Sequence, residues 1–345
     1  MCTVENTRGF NVCYGGETSL TRAISLEQFE ITFYLLNKEG IDVDSMNRWD
    51  RTALMLASCT SNVSLIDSLI SAGADVQKSD LYGDTALHLS AFYDRIDVLN
   101  RLLLMGTDVD KTNHKGRTPF FVAVDNLALV SARALVKSGC DVNKSNHDQR
   151  TPLMVLAGHN MKMSFEKGIK ESDIISIIEY MKSHDVDMSA TDKNGDTALH
   201  FAVESRNVYL VACLLQYGCS ANIRNHEGLT AFTKAILYGQ YKSADIMTMF
   251  CDMNSLLSND SLGLFRRLLL DNTERPLSED QRVLCLKILD IVDYAMLENF
   301  RVIISERKPL NTEENEFLQT LLPVSILTKP CQRKNFIGDE THINT

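Results

Sequence analysis

The sequence predicts an all-α protein in which paired antiparallel helices, joined by hairpin or turn tips, are stacked as a solenoid. Two observations predict this fold class: a threonine recurs along most of the chain, and each one opens a short apolar segment that a second apolar segment follows. The recurring residues are Thr18, Thr52, Thr85, Thr118, Thr151, Thr197 and Thr230. Their successive steps are 34, 33, 33, 33, 46 and 33 residues. A unit of this length cannot bury its apolar faces alone and needs neighbouring copies.

One unit, residues 80–109, illustrates why each segment is expected to be helical. Gly83 stands at a tip, where the backbone needs a positive φ or a close approach. Thr85 can cap a first helix, whose apolar face begins with Leu87. Gly106 follows a second helix, at the position of a left-handed C-cap. The apolar face of that second helix is formed by Val98, Leu99, Leu102 and Leu103.

The motifs within the units carry a family resemblance. The first segments include TALHLS from Thr85, TPFFVA from Thr118, TPLMVLA from Thr151 and TALHFA from Thr197. The second segments include LISAGADV, LLLMGTDV, LVKSGCDVN and LLQYGCSANI. A period of 33 residues with the pattern T-P-L-H-x-A resembles the ankyrin repeat family. The resemblance implies a non-catalytic scaffold or adaptor that binds a partner protein.

The repeat register also predicts the domain organisation. Residues 1–13 are expected to form a flexible N-terminus, 257–325 a helical cap or extension, and 326–345 a disordered tail. Seven ankyrin repeats are expected over residues 14–256, at about 14–46, 47–79, 80–112, 113–145, 146–191, 192–224 and 225–256.

The fifth repeat contains an insertion at residues 158–172, because its step is 46 residues instead of 33. Insertions in repeat proteins map to loops on one face, often the binding face. The insertion contains a basic cluster formed by Lys162, Lys167 and Lys170. Two interpretations remain open: a binding loop, or a mobile surface loop that the fold tolerates.

Composition and charge exclude several classes of partner. The chain has 35 Lys and Arg against 45 Asp and Glu, which gives a formal net charge of −10. Nonspecific binding to nucleic acid or to an anionic membrane requires a basic face, so neither partner is expected. The sequence contains no long uninterrupted apolar run, so no membrane span is expected either.

The cysteines indicate a reducing compartment. The chain contains nine cysteines, an odd number, and no C-x-x-C motif. Cys140 and Cys219 occupy the repeat position that holds Ala74 in the second repeat, which is a slot for a small buried residue. Reduced, buried cysteines predict a cytoplasmic location, with the nucleus as a second possibility.

No catalytic, metal or cofactor signature is present in the sequence, so we expect no enzymatic activity, no metal and no cofactor. His88 and His200 belong to the T-A-L-H motif, and the family resemblance implies that they make structural hydrogen bonds. Further histidines stand at the tips, but successive tips are expected about 10 Å apart, too far for shared metal coordination.

The resemblance implies that partner contacts come from the tips and from the exposed sides of the first helices. Aromatic and arginine side chains dominate binding hot spots. The candidate partner-binding residues are Trp49, Arg51, Leu81, Tyr82, Phe92, Tyr93, Lys115 and Arg117. The four aromatic residues are expected to share one patch on a monomer. The alternative is that the rings of Trp49 and Phe92 pack on a neighbouring tip and support the stack.

The C-terminal segment allows a second function, that of a substrate receptor for a ubiquitin ligase. Leu327 and Cys331 have the spacing of a SOCS-box motif, although Pro330 interrupts the helix that this motif requires. Leu322, Pro323, Ile326 and Leu327 resemble the start of the F-box-like module at the end of poxvirus-type ankyrin proteins, without the helices that follow it there. The third interpretation is a helical cap on the last repeat.

Overall fold

A computed structural model of the chain describes residues 16–159, 168–250 and residue 280. The expectations for residues 1–13, for Lys162 and Lys167, and for residues 257–345 apart from residue 280 therefore lie outside the described residues. Fourteen helices form in the described part. They are α1 (Ser19–Ser25), α2 (Phe29–Leu36), α3 (Ala53–Ala57), α4 (Val63–Ser71), α5 (Ala86–Phe92), α6 (Ile96–Leu104), α7 (Pro119–Asp125), α8 (Leu129–Lys137), α9 (Pro152–Gly158), α10 (Glu171–Lys182), α11 (Ala198–Glu204), α12 (Val208–Gln216), α13 (Ala231–Leu237) and α14 (Tyr241–Thr248).

The threonine register sets the start of every odd-numbered helix. Each of the seven threonines is the N-cap residue of a first helix, as the sequence predicts. Thr118, for example, accepts a hydrogen bond from the backbone N–H of Phe121 at 3.1 Å. Such a cap satisfies a backbone donor that the first helical turn leaves unpaired. The all-α fold class is confirmed, since the described residues contain helices and isolated bridges such as Ser79–Thr85.

The chain divides into two compact units between Gly228 and Leu229. In the first unit, the first helices α1, α3, α5, α7, α9 and α11 contact one another in succession. The second helices α2, α4, α6, α8 and α10 do the same, so the helices of this unit form two layers. In the second unit, α13 packs against α14.

One apolar position is buried in every repeat. The residue two positions after each threonine is at most 2% exposed: Leu20, Leu54, Leu87, Phe120, Leu153, Leu199 and Phe232. Burying a side chain of this size contributes about 1.5–3 kcal/mol to the free energy of unfolding. The second helix of the third repeat buries Val98, Leu99 and Leu102 as predicted, whereas Leu103 is only half-buried.

Two glycines confirm the sequence prediction for different reasons. Gly83 has a φ of +78°, and a Cβ atom there would lie 2.7 Å from the backbone nitrogen of His114. A larger residue at this tip would therefore push the next tip away. Gly106, at the end of α6, has a φ of +73° with open space around it, so it serves only as the left-handed C-cap.

Cys140 and Cys219 are buried and free of disulfide bonds, in agreement with the prediction. Burial raises the pKa of each thiol to about 12. Thiols with so high a pKa are unreactive packing residues at neutral pH.

The insertion in the fifth repeat separates α9 from α10. The first of these helices ends at Gly158, and the second begins at Glu171 after Lys170, its N-cap residue. Asp173 accepts a hydrogen bond from the backbone N–H of Lys170 at 3.0 Å. Of the predicted basic cluster, Lys170 alone is described, and it stands where the regular repeat resumes.

His88 links the third repeat to the fourth. Its Nδ1 lies 3.2 Å from the backbone nitrogen of Thr85, and its Nε2 lies 3.0 Å from the backbone oxygen of Arg117. Nδ1 must accept from the Thr85 N–H, so Nε2 carries the proton and donates to the carbonyl. The imidazole is fully buried in this neutral form. Protonation of Nδ1 would break the bond to Thr85.

We predict that His88 makes stability fall in mild acid. Burial holds the pKa of His88 below its usual value, against the opposing effect of the Asp84 carboxylate. The unfolded chain therefore binds a proton that the folded protein excludes, and the free energy of unfolding decreases as the pH falls below about 6.5. Denaturation midpoints at pH 7.5 and 5.0 measure this decrease, which His88→Gln should make smaller because glutamine keeps both hydrogen bonds without titrating.

The matched control is His184→Gln, which replaces an exposed histidine and should leave the difference between the two midpoints unchanged. Equal acid sensitivity in the wild type and in His88→Gln would contradict the proposed role of the buried imidazole.

Candidate protein interface

Each tip is organised around one asparagine or aspartate side chain. Asp80 accepts hydrogen bonds at Oδ1 from the backbone N–H groups of Tyr82 at 2.9 Å and Asp84 at 3.0 Å. The backbone N–H of Asp80 in turn donates to the Asp84 carbonyl at 2.9 Å. We call this residue the tip hub. The six tip hubs are Asn47, Asp80, Asn113, Asn146, Asp192 and Asn225.

Backbone hydrogen bonds also join each tip to the next one. The N–H of Leu81 donates to the Trp49 carbonyl at 3.1 Å, and the N–H of His114 donates to the Tyr82 carbonyl at 2.9 Å. The same bond recurs from His147 to Lys115, from Lys193 to Asp148 and from His226 to Asn194. The tip backbone is therefore fixed both within each repeat and between repeats.

The predicted aromatic residues lie at the surface in two groups. Trp49 and Tyr82 stand on neighbouring tips and are 36% and 56% exposed. The guanidinium of Arg48 lies 3.8 Å from the Trp49 ring centroid and covers that ring. Phe92 and Tyr93 lie at the other end of α5, with ring centroids 4.9 Å apart. Because α5 has seven residues, about 10 Å of helix separates the tip pair from this second pair.

The basic candidates differ in how far they are free to bind a partner. Arg51 donates from Nε to the buried carboxylate of Asp80 at 3.0 Å, so its charge is already paired. Arg117 donates from Nη1 to Asp125 at 3.0 Å. Lys115 is exposed, and no carboxylate of the described residues lies within salt-bridge distance of its ammonium group. Leu81, 51% exposed, completes the predicted set.

Sequence reasoning missed the tip hubs, although a signal for them exists. Each hub stands five residues before one of the recurring threonines and is always asparagine or aspartate. Such side chains commonly bond to backbone N–H groups two residues on, which makes them typical turn residues. The same 33-residue register that reveals the threonines would have revealed the hubs.

Sequence reasoning also missed a groove of about 470 Å³ between the tips of the fourth and fifth repeats. Basic side chains line much of it, including those of Lys115, Arg117 and Arg150. Asp148 lies in the same groove, and the hydrogen bond from Lys193 holds the pKa of its carboxyl below the usual range.

The described residues contain no group of three or more His, Cys, Asp or Glu side chains placed to hold a metal ion. Across the same residues, no helix has the length and apolar character needed to cross a membrane.

Comparison with known proteins identifies a matching family and several relatives. Residues 20–113 and 169–256 match the family described as ankyrin repeats in three copies. A segment of 138 residues is 25% identical to the ankyrin repeat protein OPG025 of monkeypox virus, covering 36% of this chain and 21% of that protein. A segment of 72 residues is 33% identical to the putative ankyrin repeat protein FPV224 of fowlpox virus, covering 21% and 49%. The matched segments thus span less than half of each relative.

Solved structures agree on the fold. The ankyrin repeat domain of Bcl-3, a member of the IkappaB family, aligns with a TM-score of 0.55 at 24% identity and covers 68% of this chain and 99% of that domain. The ankyrin repeat domain of human ASB11 aligns with a TM-score of 0.53 at 19% identity and covers 63% and 90%. At these identities the likeness concerns the fold alone.

Proposed function

The chain belongs to the ankyrin repeat family, and from that premise we propose that it is a non-catalytic adaptor that binds a partner protein on its tips and first helices. Ankyrin repeats generally mediate protein–protein interaction. The observation that carries the proposal is the exposure of Trp49, Leu81 and Tyr82 on tips whose backbone is held by hydrogen bonds. No covalent chemistry is required of such a surface.

The rigidity of the tips supports binding in energetic terms. A partner that contacts Tyr82 meets a backbone already bonded to Asp80 and to His114. Less conformational entropy is lost on association when the contact surface is preorganised, so more of the contact energy appears as affinity. Tyrosine and tryptophan contribute large contact areas with few rotatable bonds.

We assign different roles to the remaining candidates. Phe92 and Tyr93 form a second apolar contact at the end of α5. Lys115 binds an acidic group of the partner, because its ammonium group is exposed. Arg51 and Arg117 contribute the apolar parts and remaining donors of their side chains, since a carboxylate already pairs with each guanidinium.

We further propose that the protein acts as a monomer in the cytoplasm or the nucleus. The buried free thiols of Cys140 and Cys219 support a reducing compartment. The net charge of −10 argues against nucleic acid as the partner.

We predict that Trp49→Ala combined with Tyr82→Ala weakens partner binding at least tenfold. Truncating a central aromatic anchor typically costs about 2–4 kcal/mol of binding free energy. Affinity purification with the intact protein and the double variant side by side, followed by titration of the recovered partner, measures the effect. The melting temperature should remain nearly unchanged, because both side chains are exposed.

The matched control is Tyr209→Ala, which removes an exposed aromatic ring from the second helix α12 and should not alter the affinity. A double variant that binds as tightly as the wild type would place the binding site elsewhere. A steep drop in melting temperature would instead mean that the two rings support the stack.

A ubiquitin-ligase receptor is the second candidate function. The curated relatives include ankyrin proteins of monkeypox and fowlpox viruses, and the motif at Leu322, Pro323, Ile326 and Leu327 resembles the F-box-like start in poxvirus-type ankyrin proteins. This agreement favours the F-box-like module over the SOCS box.

We predict that, if this second function is present, the full chain retains Skp1 in a pull-down and loses it on deletion of residues 310–345. Elongin should not be retained by either form. Failure of the full chain to retain Skp1 would rule out the F-box-like interpretation, and retention of elongin would favour the SOCS box.

A further inference from the structure

Four steps between neighbouring tips follow a rule of matched donors and acceptors. At each of them, the residue just before a threonine pairs with the tip hub of the next repeat. Arg51 donates to Asp80 at 3.0 Å, and in the reverse sense Asn113 donates from its amide nitrogen to Asp84 at 2.7 Å. At these steps, an arginine just before a threonine pairs with an aspartate hub in the next repeat, and an aspartate at that position pairs with an asparagine hub.

The same rule holds further along the first unit. Arg150 pairs with the Asp192 hub, with Nε and Oδ2 separated by 3.6 Å. The Asn225 hub donates from its amide nitrogen to Asp196 at 3.0 Å. The side chains of Asp80 and Asp192 are fully buried, so each pair is internal to the stack.

The step from the fourth repeat to the fifth breaks this rule, because Arg117 is followed by the asparagine hub Asn146. Oδ1 of Asn146 accepts from the backbone N–H groups of Asp148 at 2.9 Å and Arg150 at 3.0 Å. Both lone pairs of that oxygen are therefore used, and only the amide donors remain. The Asn146 hub therefore offers Arg117 no acceptor, whereas the hubs that follow Arg51 and Arg150 are carboxylates.

The side chain of Arg117 reflects this mismatch. Its Nε is buried and finds no hydrogen-bond acceptor among the described residues, and the same is true of Nε of Arg150. Arg150 nevertheless has the carboxylate of a tip hub at ion-pair distance, as Arg51 has, whereas the hub that follows Arg117 carries no charge. Its Nη1 turns instead to Asp125 on α7. The Asn146 hub is only half-buried, in contrast to the other five hubs, which are buried.

The mismatched step coincides with the groove of about 470 Å³, which both Arg117 and Asn146 line. Lys115, at the same groove, adds a cation that no described carboxylate neutralises. A buried donor without an acceptor is unfavourable, and a guanidinium is best satisfied by a carboxylate. Two carboxylates, those of Asp125 and Asp148, also line the groove, but Arg117 and Lys193 pair with them. The groove therefore offers an acidic side chain sufficient volume, the ammonium group of Lys115 and the remaining guanidinium donors of Arg117.

We propose that this groove binds an aspartate or glutamate side chain of the partner protein, an inference that rests on the proposed adaptor function. The carboxylate accepts from the guanidinium of Arg117 and from the ammonium of Lys115. It supplies the negative charge that Asp80 provides for Arg51 and that Asp192 provides for Arg150. The groove between the tips of the fourth and fifth repeats thereby recognises acidic segments of the partner.

The test uses the full chain and a fluorescein-labelled hexaglutamate peptide, with hexaglutamine as the uncharged comparison, and fluorescence anisotropy as the readout. We predict that Asn146→Asp weakens hexaglutamate binding at least fivefold, because the new carboxylate pairs internally with Arg117. The same variant should raise the melting temperature. Arg117→Gln, which removes the cation, should weaken binding to a similar extent.

Lys137→Gln is the control, since it changes the net charge by the same amount as either variant but lies at the exposed end of α8. Its affinity should stay within twofold of the wild type. The proposal is overturned if the wild type does not bind hexaglutamate, if Asn146→Asp binds it normally, or if the control loses as much affinity as the groove variants.

The outcome also separates this proposal from the proposed function. Trp49→Ala with Tyr82→Ala should retain hexaglutamate binding, because those rings stand on other tips. Loss of partner binding in that double variant, together with peptide binding that ignores Asn146→Asp, would reject the groove and keep the adaptor function. Normal partner binding in the double variant, together with hexaglutamate binding that Asn146→Asp weakens, would reject the aromatic site and keep the groove.

Discussion

The backbone hydrogen bonds that the tip hubs accept are the interaction on which the stack depends. The first helices have only five to seven residues, and isolated helices of that length are unstable in water. They persist because neighbouring repeats pack on them, and this packing requires a fixed register between repeats. The hub fixes the shape of its own tip, and the N–H to carbonyl bond between successive tips then transmits that shape along the chain.

This arrangement separates structure from recognition within each tip. The hub and the threonine five residues later are held by internal bonds, so their residue types hardly vary between repeats. The side chain two positions after the hub makes none of the bonds that shape its own tip, so its residue type is free to vary. Tryptophan, tyrosine and lysine occupy this position at Trp49, Tyr82 and Lys115. The proposed recognition surface lies on these variable positions, as does the groove at the mismatched step.

Much of the fold could be predicted from the sequence because its signals are local. A threonine cap acts three residues ahead, and the spacing of Leu87 and Ala91 on one helix face follows from one helical turn. The pairing of the surface arginines could not be predicted in the same way. Arg51 meets Asp80, 29 residues away, whereas Arg117 turns to Asp125, eight residues away. Which carboxylate an arginine reaches depends on the next hub, and the groove lies at the step where an arginine is followed by an asparagine hub.

Hydrogen exchange of the tip amides tests most directly whether the hubs and the bonds between tips hold the stack. The amides of Leu81, Tyr82 and Asp84 donate to Trp49 and to the Asp80 side chain. The account predicts that they exchange as slowly as the amides of α5, because releasing the Leu81 amide requires separating the third repeat from the second, and releasing the other two requires opening the tip of the third repeat. Exchange of these tip amides at the rate of an unstructured chain, while the α5 amides stay protected, would contradict it.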